Sequence, residues 1–260
     1  MRHIVLRSGI TASTLSLYPD LLNPCQIQTM STSRLHHESG RLPRCTHRLQ
    51  HTSADTAPPY ELSKDRSGNY TLKCPAFHVD GNVITILETD ADPDNCIPDG
   101  NILPQGDDIV TSQMIPFAAR DMTREDWLEQ VGMLIAAVMF GIRKDEGGKD
   151  FTLANFPDRY VFYLWEKTWD SGSKRPRTDV YLRASEELRF ASPLEFARHA
   201  MWLMDGMPVR RGRPVCICKY CAPRSSQEVI SAELRVIGGM RRKRDLELIR
   251  KRGRASRRST

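Results

Sequence analysis

A cluster of three cysteines, preceded by a histidine, is the feature that most restricts the fold of this chain. Cys216, Cys218 and Cys221 stand in a C-x-C-x2-C pattern, and His199 precedes the first of them by 17 residues. Thiolates at this spacing can reach one tetrahedral ion, because a single bend of backbone directs several sulfur atoms to one point. The pattern predicts a zinc site with three Cys and one His ligand. Such a site is structural, because four protein ligands leave no open position for water.

Two alternatives compete with this zinc site at the level of sequence. Two of the clustered thiols could form a disulfide, and His199 could be a core residue of its helix, with His78 as another candidate for the fourth ligand. The first apolar run, residues 4–6, is too short for a secretory leader, so we expect a reducing compartment, where clustered cysteines favour metal. The chain has seven cysteines, an odd number, and four are widely scattered: Cys25, Cys45, Cys74 and Cys96.

The positive charge of the chain is concentrated in its last twenty residues. Residues 241–260 hold ten Lys or Arg against Asp245 and Glu247, a charge of +8, whereas the whole chain carries +6. Basic runs of this kind are typical of nuclear import signals and of surfaces that bind nucleic-acid phosphates. We therefore expect a nuclear protein. The tail residues expected to contact nucleic acid are Arg241, Arg242, Lys243, Arg244, Arg250, Lys251 and Arg252.

Composition and periodicity divide the chain into four segments. Residues 1–60 are rich in Ser, Thr, His and Arg without periodicity, which predicts a disordered amino-terminal segment rather than a transit peptide. Residues 61–119 carry weak strand signals at 70–72 and 83–87. They also include residues 88–108, with seven acidic residues and no basic one, which we interpret as a solvated loop. Residues 120–238 form the predicted domain, and residues 239–260 the basic tail.

The predicted domain begins with a helix. Thr123 and Asp126 resemble a capping box, and Gly141 is a plausible stop. An apolar stripe at helical spacing follows the start, which predicts a core helix. Its members are Trp127, Val131, Leu134, Ile135 and Val138.

Short strands and two further helices are predicted after it. The runs 160–167 and 179–184 are typical of strands, with Phe190 in a short third strand. Ser192, Pro193 and Glu195 open a helix that ends at Gly206, and residues 225–228 open another. The order predicts an α+β fold, with a small antiparallel sheet packed on helices.

The run from Trp127 to Cys221 resembles the amino-terminal domain of the fungal cryptic loci regulator 2 family, which are transcription-silencing proteins. The residues that carry the resemblance are, in order, DWLEQVGMLIA, NFPDRYVFYLWEK, RTDVYL, RFASPLEFARHAMWL and CICKYC. The resemblance implies a heterochromatin factor in the nucleus. It also implies partners among the subunits of a histone-deacetylase and remodeller silencing complex, together with chromatin or duplex DNA.

Part of the same run also looks like a methyl-CpG-binding domain, with its proline-led aromatic strand, basic loop, D-V-Y strand and F-R-S motif. Ala191 stands where that motif has a base-reading arginine, and an alanine side chain has no donor for guanine. The implied DNA contact is therefore non-specific and made to phosphates. The loop cations expected to make it are Lys174, Arg175 and Arg177.

The sequence points away from catalysis and from membranes. It contains no glycine-rich phosphate loop, no nucleophile elbow and no H-E-x-x-H motif, so we expect neither an enzyme nor a small-molecule substrate. No apolar run approaches the roughly 18 residues of a membrane span, so no membrane partner is expected. The alternative function is a protein-interaction adaptor that makes no nucleic-acid contact, with the tail acting only as an address.

Overall fold

Two five-stranded sheets, with helices packed on them, form the folded part of the chain. The architecture is that of a computed structural model, which describes residues 58–95, 101–105, 108–117, 121–169, 175–222, 226–240 and 244–249. Most of the predicted disordered segment and of the predicted tail lies outside the described residues. The boundaries of the four predicted segments stay a prediction.

The bounds of the elements are as follows. The strands are β1 (Ser63–Lys64), β2 (Tyr70–Lys73), β3 (Phe77–Asp80), β4 (Val83–Ile86), β5 (Asn101–Gln105), β6 (Asp108–Pro116), β7 (Thr152–Leu153), β8 (Val161–Trp169), β9 (Arg177–Arg183), β10 (Arg189–Phe190), β11 (Val209–Arg210) and β12 (Arg213–Pro214). The α-helices are α1 (Met122–Met139), α2 (Pro193–Met204) and α3 (Gln227–Ile237), with short 3₁₀ helices at Lys144–Glu146 and Gly148–Asp150. Residues 244–249 are also helical.

The first sheet is an antiparallel meander with one added parallel strand. Its order is β1-β2-β3-β4-β7, and β7 lies parallel to β4. Gly81 has a φ of 59° in the turn between β3 and β4, which is a conformation that glycine adopts without a Cβ clash. The strands predicted at 70–72 and 83–87 are confirmed as β2 and β4.

The second sheet is antiparallel throughout, in the order β10-β9-β8-β6-β5. The three strands predicted from the sequence of the domain are confirmed as β8, β9 and β10. The interpretation of residues 88–108 as one solvated loop is wrong for β5 and for the start of β6. Their backbone groups pair with each other and, through β6, with β8, so these residues belong to the second sheet.

Helix α1 crosses the core, and its start differs from the prediction. Asp121 is the N-cap, and its carboxylate accepts a hydrogen bond from the backbone N–H of Thr123 over 2.8 Å, so Thr123 lies inside the helix. All five members of the predicted apolar stripe are buried. Gly132 lies against β7, where a Cβ atom would be 2.4 Å from the Cα of Thr152.

Helix α2 begins as predicted and is buried on nearly all sides. The Ser192 hydroxyl accepts from the backbone N–H of Glu195, and the Glu195 carboxylate accepts in return from the N–H of Ala191. Every residue from 196 to 204 is buried, since α1, α3 and β10 all pack on this helix. The predicted α+β class is thereby confirmed. Within the described residues, no helix has both the length and the apolar character needed to cross a bilayer.

Candidate metal centre

The four predicted ligands come from two neighbouring parts of the fold. His199 lies in the middle of α2, and the three cysteines lie in the turn that follows β12. The backbone N–H of Ala222 donates to the carbonyl of Cys218 over 2.9 Å, which closes this turn. The turn therefore presents its sulfur atoms to one point on the buried helix.

The distances between these side chains fit a tetrahedral metal ion. The Nδ1 atom of His199 is 3.6 Å from the Sγ of Cys216, 3.6 Å from that of Cys218 and 3.7 Å from that of Cys221. All four ligand atoms lie within 4.8 Å of one another. Zinc–sulfur bonds of about 2.3 Å and zinc–nitrogen bonds of about 2.0 Å, in a tetrahedron, place nitrogen and sulfur about 3.6 Å apart. The cluster could therefore hold a metal ion.

The two competing interpretations of these residues fit the structure less well. Cys216, Cys218 and Cys221 are free thiols rather than members of a disulfide. His78 lies in β3 opposite Thr85 and is not part of the cluster. His199 is thus the fourth candidate ligand, since its Nδ1 faces all three sulfur atoms.

The surroundings of the cluster favour negative charge on Cys218, while the hydrogen bonds to Cys218 and Cys221, together with burial, raise the pKa of the Cys216 thiol. The backbone N–H groups of Cys218 and Cys221 point to the preceding sulfur atoms, at 3.5 Å from Cys216 and 3.4 Å from Cys218. Hydrogen bonds from Cys216 and Cys221 lower the pKa of the Cys218 thiol well below its ordinary value, although burial opposes this. A thiolate is the form that binds metal.

Asp90 holds the histidine from the opposite side. Its carboxylate oxygens are 3.0 and 3.2 Å from the Nε2 atom of His199, and the Tyr160 hydroxyl donates to Asp90 over 2.6 Å. A carboxylate in this position fixes the imidazole ring, so that the other nitrogen is directed at the metal. The description of residues 88–108 as solvated is wrong for Asp90, whose side chain is only 20% exposed.

The electrostatics of this contact favour positive charge on the His199 ring. Burial alone would lower the pKa of His199, but Asp90 and the sulfur atoms of Cys218 and Cys221 raise it well above its ordinary value. Burial alone would likewise raise the pKa of Asp90, yet His199 and Tyr160 lower it. Asp90 and the sulfur atoms therefore favour positive charge at His199, carried either by a proton or by a metal ion.

Replacing Asp90 with asparagine should weaken metal binding about 10- to 100-fold, the usual effect of losing the carboxylate behind a histidine ligand. Asparagine preserves the size of the side chain and removes its charge. Competition with a chromophoric zinc chelator at pH 7 measures the affinity.

The matched control is Asp94→Asn, which removes an exposed carboxylate from the same stretch of chain. It should leave the zinc affinity unchanged. Equal affinities for the two variants would show that Asp90 does not act on the centre.

Most of the predicted nucleic-acid contacts lie outside the described residues: Lys174, Arg241, Arg242, Lys243, Arg250, Lys251 and Arg252. Arg177 lies in β9 rather than in the preceding loop, and its Nε atom is 2.7 Å from the Asp179 carboxylate. Arg244 pairs with Glu228. Arg175 is exposed. The structure does not bring these three described arginines into the metal centre.

A comparison with models of known protein families gives a match to the part of the chain that contains the candidate metal centre. Residues 151–221 match the model of the family described as transcription-silencing protein, cryptic loci regulator Clr2. This segment is similar to that family. The predicted resemblance is thereby confirmed over these residues, which include all four candidate metal ligands. No curated protein and no solved structure matches the chain, and the likeness to a methyl-CpG-binding domain is not confirmed.

Proposed function

We propose that this chain is a nuclear, chromatin-associated silencing factor, in which a zinc-stabilised module makes contacts without performing catalysis. One observation carries the proposal. The segment similar to the cryptic loci regulator Clr2 family contains all four candidate ligands, and the distances among them suit a tetrahedral ion. Similarity to this family supports a silencing role. A bound metal ion would hold the irregular turn after β12 in one conformation.

Zinc is the ion that best suits this ligand set. Three thiolates and one imidazole are soft and intermediate ligands, which favour Zn²⁺ over Mg²⁺ or Ca²⁺. His199 and Cys218 are fully buried, and Cys216 is 3% exposed. Cys221 is partly exposed, but four protein ligands leave no open coordination position for substrate, so the role of the ion is to connect α2 to the turn after β12.

Contact with duplex DNA is the proposed action of the module and its tail. Arginine and lysine side chains bind phosphates without reading the sequence, which suits a factor that spreads over silenced chromatin. The tail, residues 241–260, supplies +8 of charge. Subunits of a histone-deacetylase and remodeller complex are the proposed protein partners.

Duplex DNA binding by the full chain should therefore weaken steeply as salt is raised. Each phosphate contact contributes about −0.9 to the slope of log K against log salt concentration, because bound counterions are released. Deleting residues 241–260 should make the slope shallower by several units. A titration by fluorescence anisotropy between about 50 and 200 mM salt measures both slopes. Salt-insensitive affinity, or a slope unchanged by the deletion, would contradict the proposed DNA contact.

An adaptor that makes no nucleic-acid contact is the second candidate. It is favoured by the carboxylate partners of Arg177 and Arg244, which reduce the charge that these two arginines offer to phosphate. Retention of a deacetylase or remodeller subunit by the full chain in nuclease-treated extract, together with no DNA binding in the titration, would support the adaptor.

A further inference from the structure

A short hairpin that carries three arginines stands directly before the metal centre. β11 pairs antiparallel with β12, and the two residues between them are Arg211 and Gly212. Both have positive φ, 53° and 73°, as in the type I′ turn of a tight hairpin. We refer to residues 209–214 as the arginine hairpin.

The three guanidinium groups at its tip have no counter-charge among the described residues. Arg210, Arg211 and Arg213 are exposed, and in the part of the chain that the structure describes none of them has a carboxylate partner or a side-chain hydrogen bond. Arg210 and Arg213 are directly opposite each other in the strand register. Like charges at such a cross-strand pair are destabilising. The tip therefore concentrates positive charge at a cost to the stability of the hairpin.

The backbone of Arg211 adds a second cost. A φ of 53° is the left-handed conformation, which side chains other than Gly, Asn and Asp adopt rarely. Asparagine before glycine is the pair that this turn prefers. Unfavourable backbone conformations of this kind concentrate where a ligand is bound. Two independent features, opposed charge and a strained turn, thus coincide at the same four-residue tip.

The base of the hairpin is held firmly. The carbonyl of Pro208 accepts a hydrogen bond from the indole N–H of Trp202 over 3.1 Å and from the backbone N–H of Val215 over 2.9 Å. The next residue, Cys216, is a candidate metal ligand. Both ends of the hairpin are therefore fixed to α2 and to the metal centre, so little order is lost when the tip binds.

We propose that the arginine hairpin binds the phosphate backbone of duplex DNA. A guanidinium group matches two phosphate oxygens at once, and a two-stranded ribbon is narrow enough to enter the major groove. Val209 and Val215 are exposed at the base of the hairpin, but the tip, residues 210–213, carries only arginine and glycine, whereas a surface for an acidic protein needs apolar anchors between its charges. The proposal rests on the proposed DNA contact, and it adds a surface that is distinct from the tail and from the loop before β9.

The test is a triple variant, Arg210→Thr, Arg211→Asn and Arg213→Thr, in the full chain. Asparagine suits the turn, and two opposed threonines form a favourable cross-strand pair, so the variant should unfold at the same or a higher temperature. The matched control is Lys64→Thr, Arg66→Thr and Lys73→Thr, which removes three exposed cations from β1, β2 and the turn between them.

Loss of three phosphate contacts should make the salt slope shallower by about 2.7 and weaken DNA binding roughly tenfold or more at 0.1 M salt. The control should change the affinity less than about threefold, since charges outside a contact act only through the screened field. A triple variant that binds DNA like the control overturns the hairpin assignment and leaves the proposed function intact. A wild-type chain that fails to bind DNA at low salt overturns both. Loss of binding to a polyglutamate peptide, with unchanged DNA binding, overturns the assignment in favour of an acidic protein.

Discussion

Replacing Cys218 with serine should abolish zinc binding and unfold the part of the domain around α2. The Cys218 side chain is fully buried, and its sulfur lies 3.6 Å from the imidazole of His199. In small zinc proteins the metal contributes about 10–16 kcal/mol of apparent binding free energy, which appears as folding free energy. In this protein a larger hydrophobic core also stabilises the fold. We therefore expect the free energy of unfolding to fall by about 4 kcal/mol or more, which is the range for the loss of a metal site.

Two measurements on the purified full chain check this expectation. Elemental analysis should find one zinc ion in each wild-type chain and none in the variant. Thermal unfolding followed by circular dichroism should show a lower and broader transition for the variant. Treating the wild type with a strong chelator should reproduce the change, because it removes the same ion by another route.

Cys74→Ser is the matched control for this experiment. Cys74 is also a buried cysteine outside any disulfide, but it lies between β2 and β3 in the first sheet and is not part of the cluster. This control should keep its zinc. A wild-type chain that is metal-free and stably folded would refute the metal centre, whatever the two variants do.

Replacing Gly132 with alanine should destabilise the domain by about 2 kcal/mol or more, although alanine is the better helix former. The new Cβ would be 2.4 Å from the Cα of Thr152 and 2.6 Å from the carbonyl oxygen of Phe151. Both neighbours are backbone atoms, so no side-chain rotation relieves the clash, and overpacking of this kind costs about 1–3 kcal/mol or more. The gain in helix propensity is only about 1 kcal/mol, so the clash dominates.

Urea denaturation of the wild type and the variant gives the difference in the free energy of unfolding. Gln130→Ala, at an exposed position of the same helix, is the control, and it should change that free energy by less than about 0.5 kcal/mol. A Gly132→Ala variant as stable as the wild type would mean that α1 and β7 are not in backbone contact.

Local signals in the sequence predicted the parts of the fold that depend on neighbouring residues. The start of α2 is set by Ser192, Pro193 and Glu195, which lie within four residues, and the structure confirms it. The cysteine turn is equally local, so three of the four candidate ligands could be found from their spacing alone. Predicting His199 as the fourth ligand required the further inference that α2 and the cysteine turn pack against each other.

Contacts between distant residues could not be predicted in the same way. Asp90 lies 109 residues before His199, and six other acidic residues in the same stretch offered identical chemistry. Nothing in the local pattern of β7, two residues long, indicates that it pairs with β4. The arginine hairpin gave only a weak signal, since its strands have two residues each and its turn has arginine where asparagine is usual.

The strand pairing of β8 limits where the chain can be cut to give a fragment that still folds. β8 lies inside the segment similar to the silencing family, but its neighbour β6 lies outside, and the two are joined along seven residue pairs from Val110 to Pro116. A fragment cut at residues 151 and 221 would leave one side of β8 without hydrogen-bond partners, and exposed strand edges of this kind promote aggregation. The same cut would remove the carboxylate behind His199. The segment that matches the family is therefore not a self-sufficient unit, and its shape depends on chain that the family comparison does not cover.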